Sequence, residues 1–231
     1  KQASFFAELG YETFMLTFNF NPKYPLIFEE LKKMNKLHEK VIVKNLYNCL
    51  EPGFTKSLKG KQKVKKASLE ELTEGLPYDK RKKHNAYRAY KNGTYYKYIS
   101  LDSNNVLEFI DYFNENRYRV KRENYDPFGN VKRVIYMDII TNTPRQIIYY
   151  DSLGNPYISE WINPETKSTD RIIRFSNKQT VSKVYVNDNT SIKVDWLNNF
   201  INNINNGHVV VVSDTRSTDS VLLNLRNSKA I

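Results

Sequence analysis

Alternation of apolar and polar positions dominates the middle of the chain. From about Tyr87 to Val186 the pattern has period two, as in strands that bury one face. It predicts strands over Tyr95–Ile99, Val106–Phe113, Tyr118–Arg122, Val131–Ile139, Arg145–Tyr150, Tyr157–Ile162, Arg171–Phe175 and Val181–Val186. Along one of these, Val131, Ile135, Met137 and Ile139 share a side with Arg133. The short connections suit antiparallel hairpins. One phrase occurs twice, 25 residues apart: Tyr125-Asp-Pro-Phe-Gly-Asn130 and Tyr150-Asp-Ser-Leu-Gly-Asn155. In each, Asp can accept bonds from the backbone ahead of it and Gly supplies a positive φ, so the two read as turns of one type. Asn92-Gly93 and Asn114-Glu-Asn116 mark further reversals. The block reads as a β-meander.

Both flanks read differently. Gln2–Leu9 is a short apolar helix stopped by Gly10. Glu12–Phe20 is aromatic and β-branched, a buried strand closed by Asn19, Asn21 and Pro22. Tyr24–Leu37 carries Leu26, Ile27, Leu31 and Met34 at helical spacing, and Lys40–Leu46 is a second strand. Ser68-Leu-Glu-Glu71 is a capping box that opens a short helix. After Val186, Val194–Ile204 is an amphipathic helix ended by Gly207, His208–Ser213 a Val-rich strand, Val221–Leu225 a short helix, and Lys229-Ala-Ile231 the start of a further strand. Strand and helix alternate, which implies a parallel sheet with crossover helices. The organisation expected is an α/β unit over residues 1–86, an inserted antiparallel sheet over 87–187, and a return to the α/β unit over 188–231.

With 40% apolar residues among 231, 17 of them Tyr and 12 Phe, the chain can bury a core. Its single cysteine, Cys49, excludes an internal disulfide and reads as a small buried side chain. Two basic clusters raise the net charge to +11: six lysines within Lys56–Lys66, among them Lys61, Lys63, Lys65 and Lys66, and then Lys80, Arg81, Lys82 and Lys83. Such a balance attracts polyanions, whether nucleic acid, anionic lipid or a phosphodiester polymer. Each cluster alone reads as a solvated loop. Together, beside one domain junction, they point to an anionic partner.

Ligands of parallel α/β sheets sit beyond the carboxyl ends of the strands. Two such ends are visible: Thr17-Phe-Asn19-Phe-Asn21 and Ser213-Asp214-Thr-Arg216. Asp214 suits a sugar hydroxyl, and Arg216 a phosphate or a developing negative charge; the plainer reading is a capping Asp214 paired with Arg216. His38, His84 and His208 are scattered, none at metal-ligand spacing from another His or Cys. Neither a phosphate loop nor a Ser/His/Asp pattern occurs.

The run Ala7-Glu-Leu-Gly-Tyr-Glu-Thr-Phe-Met-Leu-Thr-Phe-Asn-Phe-Asn-Pro-Lys-Tyr24 resembles bacterial glycosyltransferases of the GT-B class. So do Leu31-Lys-Lys-Met-Asn-Lys-Leu-His-Glu39 and Val43-Lys-Asn-Leu-Tyr47. The similar members are the poly(glycerol-phosphate) α-glucosyltransferases and the enzymes that add N-acetylglucosamine to teichoic acid or serine-rich adhesins. Val209–Leu225 looks like that family's return to its Rossmann-like sheet. The resemblance implies half of a GT-B Rossmann-like domain carrying an inserted β-meander. It also implies retaining transfer from UDP-glucose or UDP-N-acetylglucosamine without a metal, the donor held in a C-terminal half. The family's first strand, its His-bearing strand end and that donor half have no counterpart here, so the chain is expected to be the acceptor-side portion, inactive alone and without catalytic residues of its own. Asn19, Asn21, Asp214 and Arg216 are the cleft-facing candidates. The basic clusters would meet teichoic acid or a serine-rich protein. Cytoplasmic location, association with the inner membrane face and a homo-oligomer formed through the β-domain complete the expectation. Two other readings stand beside it: a β-sheet assembly or docking module, and a nucleic-acid binder, for which charge speaks but no recognition motif does.

Overall fold

The computed structural model describes residues 1–54, 63–82, 84–176, 179–204, 209–213 and 218–225. Its bulk is one ten-stranded antiparallel sheet in which every strand pairs with its sequence neighbours. The strands are β3 (Tyr78–Lys80), β4 (Ala86–Lys91), β5 (Thr94–Leu101), β6 (Leu107–Phe113), β7 (Arg119–Tyr125), β8 (Val131–Met137), β9 (Pro144–Tyr150), β10 (Pro156–Ile162), β11 (Thr169–Phe175) and β12 (Val181–Val186). The meander thus starts at Tyr78. β3 and β4 lie ahead of the first strand expected from the pattern, because Lys80, Arg81 and Arg88 interrupt the apolar run there.

The repeated phrases form matching turns. Asp126 Oδ1 accepts from the Phe128 and Asn130 amides at 3.0 and 2.9 Å, and Asp151 Oδ1 from Leu153 and Asn155 at 2.9 and 2.8 Å. Gly129 and Gly154 have φ of +91° and +82°. Asn163 and Asp138 build related turns at the opposite end of the strands.

The α/β part holds two parallel strands, β1 (Phe14–Thr17) and β2 (Ile42–Asn45). Residues alternate across them. Met15 and Val43 pack with Ala7, Leu37 and Val41 under α1 (Gln2–Glu8) and α2 (Tyr24–Lys33). Leu16 and Phe18 pack on the opposite side with Trp196 and Leu197 of α5 (Thr190–Asn202) and Val221 of α6 (Asp219–Leu223). The Phe18 and Trp196 rings lie 5.5 Å apart, edge to face, and Phe14 and Phe200 5.1 Å apart. The segments before and after the meander therefore share one core.

Several elements are shorter than the sequence predicts. β1 stops at Thr17 because β2 turns at once into α3 (Leu46–Leu50), a helix the pattern did not reveal. α2 ends at Lys33, where Asn35 takes φ +55°. Of the strand expected at 208–213, the described residues Val209–Ser213 form none, and Val210 and Val212 are 61% and 56% exposed. Val209 and Val211 are half-buried, so the valine run is covered on one side only. Residues 229–231, the expected further strand, lie outside the described residues, so two strands make up the described parallel sheet. Cys49, expected to be buried, is exposed, because α3 turns Leu46, Tyr47 and Leu50 inward instead.

The big sheet is covered on opposite faces at its two ends. α4 (Leu69–Thr73), capped by Ser68, lays Leu69 and Leu72 on Ile99, Leu101, Leu107 and Ile110. Lys97, 2% exposed, reaches the C-terminal end of that helix, donating to Leu72 O and to Glu74. Toward β12, the other face packs Tyr149, Ile158, Ile172 and Tyr185 against Tyr47, Leu50 and Ile192 of α3 and α5.

Candidate functional site

The carboxyl ends of β1 and β2 meet at Asn45, whose side chain is buried. Its Nδ2 donates to Thr17 O at 3.2 Å, Thr17 Oγ1 at 2.9 Å and Asn19 O at 2.8 Å. Its Oδ1 accepts from the Tyr47 and Asn48 amides at 3.1 and 3.2 Å. One side chain closes both strands and caps α3. Sequence reasoning passed over Asn45; its signal was an Asn standing between a Val-rich strand and an apolar run at helical spacing.

The loop released at this end carries two of the expected site residues. Asn19 Oδ1 accepts from Tyr24 Oη at 2.6 Å, and Asn21 Oδ1 accepts from the Lys23 amide at 2.9 Å. Both side chains shape the loop. Between them Phe20 meets Tyr149 at 5.2 Å and Tyr47 at 5.6 Å, while the Arg133 guanidinium lies 4.6 Å from its ring. Tyr47 and Tyr149 stack at 4.6 Å, and burial raises the pKa of both phenols, so they are neutral donors rather than bases. Asp214 and Arg216 lie outside the described residues.

Three ion pairs fasten this loop region to the meander. Lys23 Nζ donates to Asp102 at 3.1 Å and Glu108 at 2.8 Å; burial pulls its pKa down, but the two carboxylates outweigh it. Lys132 on β8 pairs with Glu51 just past α3, both nearly solvent-free. Burial pushes the Glu51 carboxyl up more than Lys132 draws it down. Phe20, Pro22, Asp126 and Ser152 line a small depression beside this pair.

The basic clusters gather at the same end of the sheet. Segment 63–67 runs along the turns: the Lys65 amide donates to Pro127 O at 3.0 Å, and the Ala67 amide to Asn105 O at 2.9 Å. Lys63, Lys65 and Lys66 are exposed there. The loop from β3 to β4 is tied to the neighbouring turn through Asn85, which donates to Asp102 O at 2.7 Å and Asn105 Oδ1 at 3.0 Å. That loop carries Arg81, half-buried, and Lys82, exposed, just after the exposed Lys80. So the described parts of both clusters occupy one rim, next to Lys23. Lys61 and Lys83 lie outside the described residues.

Among the described residues no group of three His, Cys, Asp or Glu is placed to hold a metal ion, and no helix is long and apolar enough to cross a membrane.

No family model matches the chain. A poly(ribitol-phosphate) α-N-acetylglucosaminyltransferase of Staphylococcus aureus (strain COL) is 25% identical over 169 residues, 71% of this chain and 33% of that protein. The crystal structure of an S. aureus TarM mutant in complex with fondaparinux, α-GlcNAc-glycerol and UDP superposes with a TM-score of 0.68 and 20% identity, over 99% of this chain and 44% of that one. Accessory secretory protein 1, 2 and 3 of Streptococcus pneumoniae gives 0.70 at 10% identity, over 96% and 42%. The GtfA/B complex bound to UDP and GlcNAc gives 0.56 at 12%, over 87% and 44%. In sequence the chain resembles that poly(ribitol-phosphate) transferase, and it shares its fold with TarM, the accessory secretory proteins and the GtfA/B complex. It spans about a third of the curated relative's length.

Proposed function

We propose that this chain is the acceptor-side portion of a retaining GT-B glycosyltransferase that moves glucose or N-acetylglucosamine from a UDP-sugar to poly(glycerol-phosphate) or poly(ribitol-phosphate). In this reading β1, β2 and α5 form half of a Rossmann-like domain, the donor binds a second half supplied by the rest of the protein, and residues 1–231 alone catalyse no transfer. The supporting observation is the juxtaposition of the strand ends at Asn45 with a basic rim. Lys63, Lys65, Lys66, Lys80, Arg81 and Lys82 stand beside the loop that a GT-B cleft would present to its acceptor, and their charge suits a phosphodiester chain. The partial match to a poly(ribitol-phosphate) transferase agrees in acceptor chemistry. The test is a transfer assay of the whole protein with UDP-glucose and UDP-N-acetylglucosamine against both polymers. Label should enter polymer from one donor, with α configuration at the new bond. Transfer to neither polymer sinks the reading.

A second reading is favoured by the uncovered face and edge at β12, where Val181, Val184 and Val186 are 58%, 47% and 62% exposed. An apolar edge strand of this kind pairs with another chain, either a second copy or a serine-rich protein's transferase partner. Sedimentation of the 231-residue chain at rising concentration tests it: a strict monomer throughout excludes self-assembly through β12.

A further inference from the structure

The face of the sheet that receives the Phe20 loop continues, uncovered by any described helix, onto β4–β7. Hydrogen-bond register aligns its side chains in rows. Arg88, Tyr98, Asp111 and Arg122 stand opposite one another across β4, β5, β6 and β7. The adjacent row runs Ser100, Phe109, Asn124, Arg133 and Tyr149, and ends under Phe20. Rings and guanidiniums interleave along these rows. Tyr98 stacks on Phe109 at 6.0 Å and Tyr95 on Phe113 at 4.4 Å. Arg122 lies 4.0 Å over Phe109, and Arg88 5.7 Å over Tyr95.

The charges on this face do not balance. Arg122 satisfies Asp111 through two bonds of 2.7 Å, and Arg119 approaches the same carboxylate at 3.6 Å. Asp111 and, opposite Arg88 on β3, Asp79 are the carboxylates in line with these rows, against Arg88, Arg119, Arg122 and Arg133. The Nε atoms of Arg88 and Arg119 are shut off from water and have no hydrogen-bond partner. Two guanidiniums are therefore incompletely satisfied by the fold, which is costly for a buried donor. An incoming phosphate oxygen supplies the missing acceptor after a small side-chain rotation. The arginines sit on β4, β7 and β8; β7 and β8 are neighbours about 4.8 Å apart and β4 lies three strand spacings, about 14 Å, from β7, a spread that fits separate charges along a chain better than one phosphate.

We propose that this face of β4–β8 is a track for the phosphodiester backbone of an anionic polyol-phosphate polymer, leading it to the Phe20 loop at the carboxyl end of β1. The track rests on the acceptor class proposed above, and deepens it by assigning the polymer's path to the arginine rows as well as the lysine rim. Nucleic acid fits less well. Guanidiniums already occupy ring faces of Phe109 and Tyr95, where bases would stack.

The test is binding of a fluorescent glycerol-phosphate oligomer to the chain, to an Arg88→Gln/Arg119→Gln variant, and to a rim variant with Lys63, Lys65 and Lys66 changed to Gln. Loss of about tenfold in affinity in the Arg variant, with a weaker salt dependence and unchanged melting, is the expected result. Should that variant not fold, Arg88→Lys/Arg119→Lys keeps the charges and removes the forked donors; a loss of at least threefold is expected. Affinity unchanged in the Arg variants but reduced in the rim variant overturns the track and leaves the acceptor class standing. An unmodified chain that binds no oligomer overturns both. Tighter binding of single-stranded DNA of equal charge overturns the track in favour of nucleic acid.

Discussion

Asn45 does the most with one side chain. It holds the ends of two strands and starts a helix, so Asn45→Ala removes three donated and two accepted bonds inside a buried site. The expected cost is about 2–3 kcal/mol, read from urea unfolding. Asn45→Asp keeps the cap but turns a carboxylate oxygen toward the Thr17 and Asn19 carbonyls, and should cost at least as much as Ala. Acid sensitivity is also set residue by residue. At Glu123 burial acts to raise the pKa, but hydrogen bonds from Lys121, Tyr125 and Tyr112 outweigh it and hold the carboxyl below its ordinary 4.5. A folded pKa below the unfolded one means stability that is present above about pH 4.5 and lost as pH falls through the folded value. Asp102 and Asp195 act in the same sense, and Glu51, raised by burial, in the opposite one. Thermal melting should drop on acidification below about pH 4.5, with a shallower slope in Glu123→Gln. An identical slope in the variant would remove Glu123 from the explanation.

At the scale of elements, the repeated turns offer a matched pair. Gly129 and Gly154 both have positive φ, so Ala at either costs about 1–2 kcal/mol. A Cβ at Gly129 also comes within 3.0 Å of Lys65 Cδ, while Gly154 has open space. Gly129→Ala should therefore displace segment 63–67 as well, seen as faster amide exchange at Lys65, and Gly154→Ala should not. The repeat was legible in the sequence because Asp, Gly and Asn each have a local job in it. Strands β5 to β12 were legible because their alternation is enforced by burial on one face at a time. What escaped was decided by tertiary contact. β3 is too charged to show period two, and β4, though inside the period-two block, carries Arg88 and Lys91, which blur it as a separate strand. α3 is five residues long, below what helical periodicity can reveal, and exists because Asn45 caps it and Tyr47 and Leu50 find the sheet. Val209–Ser213 reads as a strand by composition, yet in the structure it forms none. Of the site, Asn19 and Asn21 were placed at the right strand end but serve the loop itself, while Phe20 between them makes the contacts across to the meander.

For the molecule as a whole, the relation between the α/β part and the meander is what matters, and Glu51–Lys132 lies at its centre. Breaking one side of a buried pair leaves an uncompensated charge, so Lys132→Met should cost about 3–5 kcal/mol. Glu51→Leu/Lys132→Met should recover most of that, because two apolar side chains replace two desolvated ions. A double variant no more stable than the single one would place the cost elsewhere. The same docking sets the lysine rim and the arginine rows beside the Phe20 loop, and on this depends the central claim that the unit holds an anionic acceptor polymer. Its most direct test is equilibrium binding of the chain to purified poly(ribitol-phosphate) over about 50–300 mM salt. The account predicts binding that weakens steeply with salt and is reduced when Lys63, Lys65, Lys66, Arg81 and Lys82 are changed to Gln. Binding that is indifferent to salt and to those charges, or absent at the lowest salt, would contradict it.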